Sequence, residues 1–187
     1  MGNIYTTQGI DLEFAMSTFI PDSENAAFEP AVKQHFSFLA DQHSFQFAGV
    51  REVDDGPRDR GVVARYRQAE VRIDIGWSAI EGSLAVLIRL DAKGLARNER
   101  YVYLEPFVEF TTDGAVAPVV PQIYPGMSVR RIEETMRSRK ELFQNGIGEV
   151  LERVASRLRE YYALICGASV ETVRQYHKWY QGRGKAS

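Results

Sequence analysis

Val62-Val-Ala-Arg-Tyr-Arg67, Val71-Arg-Ile-Asp-Ile-Gly-Trp77 and Leu84-Ala-Val-Leu-Ile-Arg-Leu90 decide the fold. In the first run Val62, Ala64 and Tyr66 alternate with Val63, Arg65 and Arg67. In the second, Val71, Ile73, Ile75 and Trp77 alternate with Arg72, Asp74 and Gly76. Leu84, Val86, Ile88 and Leu90 repeat the pattern in the third. A side-chain period of two marks strands with one face buried. Short polar punctuations at Gln68-Ala69 and from Ala79 to Ser83 join the runs, as in an antiparallel meander. The inward set is then Val71, Ile73, Ile75, Trp77, Leu84, Val86 and Ile88. Arg65, Arg67, Glu70, Arg72, Asp74 and Arg89 fall on the other face, with mixed charge and no base–nucleophile arrangement.

Outward from this meander, Phe28, Val32, Phe36 and Leu39 recur at spacings of four, four and three, which predicts a helix to about His43. Ser23 or Asn25 would cap it, with Pro30 tolerated in its first turn. Burying the four side chains contributes roughly 1.5–3 kcal/mol each before chain entropy. Phe45-Gln-Phe47 begins a strand to about Val53, and 54–61 is a charged loop rich in turn residues. Residues 101–110 fit a strand (Tyr101, Tyr103) and a short helix (Leu104, Phe107, Val108) equally. With Gly114, Pro118, Pro121, Pro125 and Gly126, residues 113–127 read as an irregular connection lying against the body through Val116, Val119, Val120 and Ile123. Ser128 caps a helix to about Gln144, which Asn145-Gly146 stops. Ile147, Val150, Leu151, Val154, Leu158, Tyr161 and Ile165 stripe a long helix ended by Gly167, and Ser169 caps a last one to about Tyr180. Glu133/Arg137 and Glu149/Arg153 are spaced for i,i+4 pairing.

The expected architecture is therefore a single α+β domain: an antiparallel sheet of about four strands, with helices on one face and C-terminal helices closing the chain. An N-terminal arm at about 1–24 reads equally as a strand or as a short helix from Asp11 to Phe19. The tail at about 181–187 should fray. With 187 residues the chain can bury a core without disulfide or metal support. A formal net charge of −2 gives no bulk signal for nucleic acid or membrane. No apolar stretch approaches a membrane span, and the first basic residue is Lys33, so a cytoplasmic protein without a charged leader is expected. Charge is segregated: residues 1–32 carry Asp11, Glu13, Asp22, Glu24 and Glu29 and no Lys or Arg. Residues 171–187 carry Arg174, Lys178, Arg183 and Lys185 against Glu171. Solvated surface or a contact for a charged partner both produce such asymmetry.

Chemistry-bearing motifs are sparse. Cys166 lies in an apolar run and reads as a buried inert thiol. His35 and His43 stand about two turns apart on the first helix, too far to share an ion. Gly-x-Ser-x-Gly and phosphate-cradling glycine loops do not occur. Asp54-Asp55 and Glu133-Glu134 are adjacent acids that point apart, so neither makes a catalytic pair. Asp74 reads as the cross-strand partner of Arg65 or Arg89. Arg174, Tyr176, His177, Lys178, Trp179, Tyr180, Arg183 and Lys185 form the one basic-aromatic cluster. Three readings fit it: a helix packing its aromatics inward with wet cations, a protein contact, or a nucleic-acid contact.

The helix carrying Phe36-Ser-Phe-Leu39, then Phe45-Gln-Phe47, then the Ala64-Arg-Tyr66 strand with its two partners, and finally Leu158-Arg-Glu-Tyr-Tyr-Ala-Leu-Ile-Cys-Gly167 with a short helix after it, form an order of elements. That order resembles small bacterial α+β proteins of immunity type. The resemblance covers about 27–92 and 147–180 and transfers no functional residue. It implies a partner-binding factor associated with a toxin or defence system. The expectation is thus a non-enzymatic protein that binds another protein and needs no cofactor or metal. Its candidate contact residues are Arg65, Arg67, Arg72, Asp74, Arg89, Arg174, Lys178 and Trp179. The alternative is a nucleic-acid-associated accessory factor using the C-terminal segment.

Overall fold

The computed structural model describes residues 22–54, 60–78, 82–144 and 146–183. The strand or helix expected over 10–19, most of the 54–61 loop, the tip of the second hairpin, Asn145 and the tail from 184 onward lie outside them. The meander is present and has five strands in the order β1-β2-β3-β4-β5, all pairs antiparallel. They are β1 Gln46–Asp54, β2 Arg60–Arg67, β3 Val71–Ser78, β4 Ser83–Leu90 and β5 Tyr101–Tyr103. Ala64 faces Ile75, and Ile75 faces Val86, so the alternating apolar sets fall on one side. Ala64, Tyr66, Ile73, Ile75, Trp77, Leu84, Val86 and Ile88 are all buried there. Gly61 permits close pairing: a Cβ at that position would clash with the Trp77 carbonyl oxygen.

Helices cover that side. The predicted first helix is two, α1 Asp22–His35 and α2 Ser37–His43. The break falls at Phe36, whose backbone (φ −103°, ψ 13°) leaves helical geometry while its ring stays fully buried. Phe28, Val32 and Leu39 join it in the core. Helix α1 begins at Asp22, so Ser23 and Asn25 lie inside it, and Pro30 stands in its interior, not its first turn. There Pro30 contributes no N–H to the helical ladder. Both readings of 101–110 are realised in succession: β5 runs directly into α3 Leu104–Thr111. Val102 pairs with Ile88, while Leu104, Phe107 and Val108 are buried from the helical side. The 112–128 connection has no regular structure and buries Val119 and Val120.

The C-terminal helices follow the expected caps. Helix α4 Val129–Leu142 starts at Ser128, whose Oγ accepts the Arg131 N–H at 3.5 Å. It ends two residues before the expected Gln144. Gly146 (φ +95°) precedes the next helix in a conformation that glycine adopts readily. Helix α5 Ile147–Cys166 buries Val150, Leu151, Val154, Leu158 and Ile165. Helix α6 Val170–Arg183 is capped by Ser169, whose Oγ accepts the Thr172 N–H at 3.0 Å. It continues three residues past Tyr180. On α4 the i,i+4 ion pair is Arg130–Glu134 at 3.0 Å, in place of Glu133/Arg137.

Candidate functional site

The strand registers dictate the polar face of the sheet. Arg67 stands opposite Arg72, Arg72 opposite Arg89, and Arg89 opposite Tyr101, so one row crosses four strands. The next row runs Arg65, Asp74, Leu87, Tyr103. Three arginines in direct cross-strand succession repel one another, which destabilises a sheet unless acids or rings compensate. Compensation is visible. Asp74 is 7% exposed and accepts from Arg65 Nε at 2.7 Å and Nη2 at 3.0 Å, a bidentate pair. That hydrogen bond is the main cause holding the Arg65 guanidinium charged above its ordinary range. Arg72 Nε lies 3.2 Å from the same carboxylate. It is close enough for an ion pair, but Arg72 Nε itself has no aligned hydrogen-bond acceptor. The guanidiniums of Arg72 and Arg89 also lie 5.8 and 5.9 Å from the Tyr101 ring centroid.

Arg89 does not reach Asp74. It pairs instead with Asp91, through Nε at 3.0 Å and Nη2 at 2.8 Å. Asp91 also accepts from Arg100 Nη1 at 3.1 Å. Arg67 is exposed and makes no ion pair among the described residues. The structure thus gathers Arg65, Arg67, Arg72, Asp74 and Arg89 on one face and adds Asp91, Arg97, Arg100 and Tyr101 to them. Arg89, Arg97, Arg100 and Tyr101 line a cleft of about 410 Å³ at the end of this face. Sequence reasoning missed the last three because the alternation that marks the meander stops at Leu90. The signal for them was Tyr101, whose strand assignment would have placed it beside Arg89.

Arg174, Lys178 and Trp179 are on α6, apart from that row. Arg174 Nη2 donates to the Gly94 carbonyl at 2.7 Å, and its Nε lies 3.4 Å from Glu99. Trp179 packs against Phe110 and Tyr124, with ring centroids 5.7 and 6.0 Å apart. Tyr176 is buried, and its hydroxyl accepts the Tyr103 N–H at 3.2 Å. Tyr180 stacks on Tyr103 at 5.9 Å. The aromatics of this segment therefore dock the helix on α3 and β5, while Lys178 stays exposed.

Two buried acids on α3 anchor the irregular connection. Glu109 accepts from the Tyr124 hydroxyl and from Arg183 at 2.5 and 3.1 Å. Burial, reinforced by that carboxylate, pushes the Tyr124 hydroxyl far above its ordinary range. Glu105 accepts the Val119 N–H through Oε2 at 3.1 Å, while its buried Oε1 has no hydrogen-bond partner. Desolvation raises its carboxyl above the usual range, opposed by the Val119 hydrogen bond and by Arg157. A second cleft, of about 380 Å³, opens beside Tyr124 and Arg183. Burial raises the Cys166 thiol to about 11, away from the thiolate needed for nucleophilic work. His43 stacks on Tyr162 at 3.8 Å, and no three His, Cys, Asp or Glu side chains among the described residues converge as metal ligands. Among the same residues no helix is long and apolar enough to cross a membrane. No family model, curated protein or solved structure matches this chain.

Proposed function

We propose that this chain is a non-enzymatic protein-binding factor of immunity or toxin/defence-associated type, and that its contact surface is the arginine-rich face of the sheet. The carrying observation is the Arg67–Arg72–Arg89 row across β2, β3 and β4. Direct like-charge opposition costs stability in the free protein. An acidic partner would relieve that repulsion, so the row is better matched to a complex than to bulk water. Arginine and tyrosine are also the residues that interfaces favour, because the planar guanidinium meets carboxylates bidentately at little ordering cost. Asp74, Asp91 and Tyr101 hold three of the arginines in fixed positions before any partner arrives. The immunity-type assignment rests on the order of elements, and the partner chemistry on the charge of the face.

The nucleic-acid alternative draws on the exposed Lys178 and Arg174. It ranks second because Tyr176, Trp179 and Tyr180, which would stack on bases, are engaged with Phe107, Phe110, Tyr103 and Tyr124. Affinity capture from lysate of the native host, run with and without nuclease treatment, separates the two. A retained protein whose binding shields Arg67 and Arg89 from arginine-selective modification supports the sheet face. Retention only of nucleic acid, lost in the Lys178→Glu variant at an exposed position, would support the alternative.

A further inference from the structure

The cleft at the β4–β5 end of the polar face has walls of one charge. Arg89, Arg97, Arg100 and Tyr101 line it. Asp91, Glu99 and Asp74 already have partners. Asp91 holds Arg89 and Arg100 together through its Oδ1, at 3.0 and 3.1 Å. Glu99 accepts the Ala96 N–H at 2.8 Å and pairs with Arg174 at 3.4 Å. Asp74 serves Arg65 and Arg72. Arg100 Nε reaches back to the Leu95 carbonyl at 3.4 Å. These contacts fix two guanidiniums while leaving Nη1 of Arg89 and Nη2 of Arg100 unpaired among the described residues. Arg97 is exposed and makes no ion pair or hydrogen bond with any of them. Three guanidiniums set against the single carboxylate of Asp91 leave two uncompensated positive charges.

We propose that this cleft binds a phosphoryl dianion, carried by a phosphorylated protein side chain or by a small phosphate ester. Two negative charges match the two uncompensated ones. Three terminal oxygens can accept from three separate arginines, whereas a planar carboxylate offers two oxygens and is satisfied by one guanidinium fork. Pre-ordering by Asp91 lowers the entropy lost when the anion arrives. The assignment goes beyond protein binding and stands or falls separately from it, because it is read with isolated anions.

Calorimetric titration of the full chain at low salt with inorganic phosphate, O-phospho-L-tyrosine, sulfate and acetate tests it. Both phosphate probes should bind, and acetate should bind about tenfold more weakly or worse. Arg97→Ala, at an exposed position without an ion pair or hydrogen bond among the described residues, should weaken phosphate binding about tenfold. Phosphotyrosine binding should fall as pH drops from 7 to 5, because a phosphate ester takes up its second proton at about 6, whereas sulfate binding should hold across that window. Tighter binding of phosphotyrosine than of inorganic phosphate assigns a protein side chain as the carrier; equal binding assigns a small phosphate. Absence of phosphate binding, acetate binding as tight as phosphate, or unchanged affinity in Arg97→Ala overturns the proposal.

Discussion

Asp74 shows how one side chain can hold a charged surface together. It stands on the polar face yet is buried, because Arg65 and Arg72 fold over it from both sides. Asp74→Ala leaves two guanidiniums without their shared acid and exposes the arginine row to its own repulsion. Because Arg65 and Arg72 keep part of their hydration, the expected loss is about 2 kcal/mol, read as a lower urea midpoint. Glu105 works in the opposite sense. Its carboxyl is raised in the folded state, so the folded protein holds that proton more firmly than the unfolded chain does. Its contribution therefore favours folding at acid pH and is lost as pH rises from the ordinary glutamate range through the raised folded value. Glu105→Gln should keep the acceptor for the Val119 N–H and remove the buried charge. Its stability should equal or exceed wild type at pH 7, and the gap should close by about pH 4 in paired thermal melts. Larger destabilisation at pH 7 than at pH 4 would contradict this reading of Glu105.

The strands were legible in the sequence because period-two alternation in Val62–Leu90 is strong and each turn is short. Observed registers put every expected inward residue on the helical side. Legibility failed where an element is too short to show a period. β5 has three residues, and only pairing of Val102 with Ile88 and of Tyr101 with Arg89 makes it a strand. The break at Phe36 was hidden because its ring keeps the apolar stripe continuous while its backbone leaves the helix. Asp74 and its Arg65 partner could be anticipated from alternation alone. The Asp91–Arg89–Arg100 cluster could not, since it depends on how the 91–100 connection folds back on β4. Close pairing of β2 with β3 has a direct consequence at Gly61. Gly61→Ala would drive a methyl against the Trp77 carbonyl, and displacing that backbone should cost about 1–3 kcal/mol. Denaturant unfolding measures it; a variant as stable as wild type would show that the β2–β3 spacing is looser than described.

At the scale of the whole molecule, the two sides of the sheet divide the labour. The apolar side meets α1 and α3, on which α5 packs, and together they supply the core. The polar side carries an arginine row in which Arg72 and Arg89 have acidic partners and Arg67 has no ion pair among the described residues. Residues of α6 were candidate contacts in the sequence, but its aromatics fasten the helix to β5 and α3. The most direct test of a partner-binding face changes one residue that the fold does not use. Arg67 is exposed and without an ion pair among the described residues, and Arg67→Glu would face Arg72 across the strands, so folding is retained or improved. Wild-type and Arg67→Glu protein, immobilised at equal density, are exposed to the same nuclease-treated host lysate. The expected result is a protein retained by wild type, released by moderate salt, and lost from Arg67→Glu although that variant melts no lower. Equal retention by both, or retention of no specific protein by wild type, would contradict the assignment of this face as the contact surface.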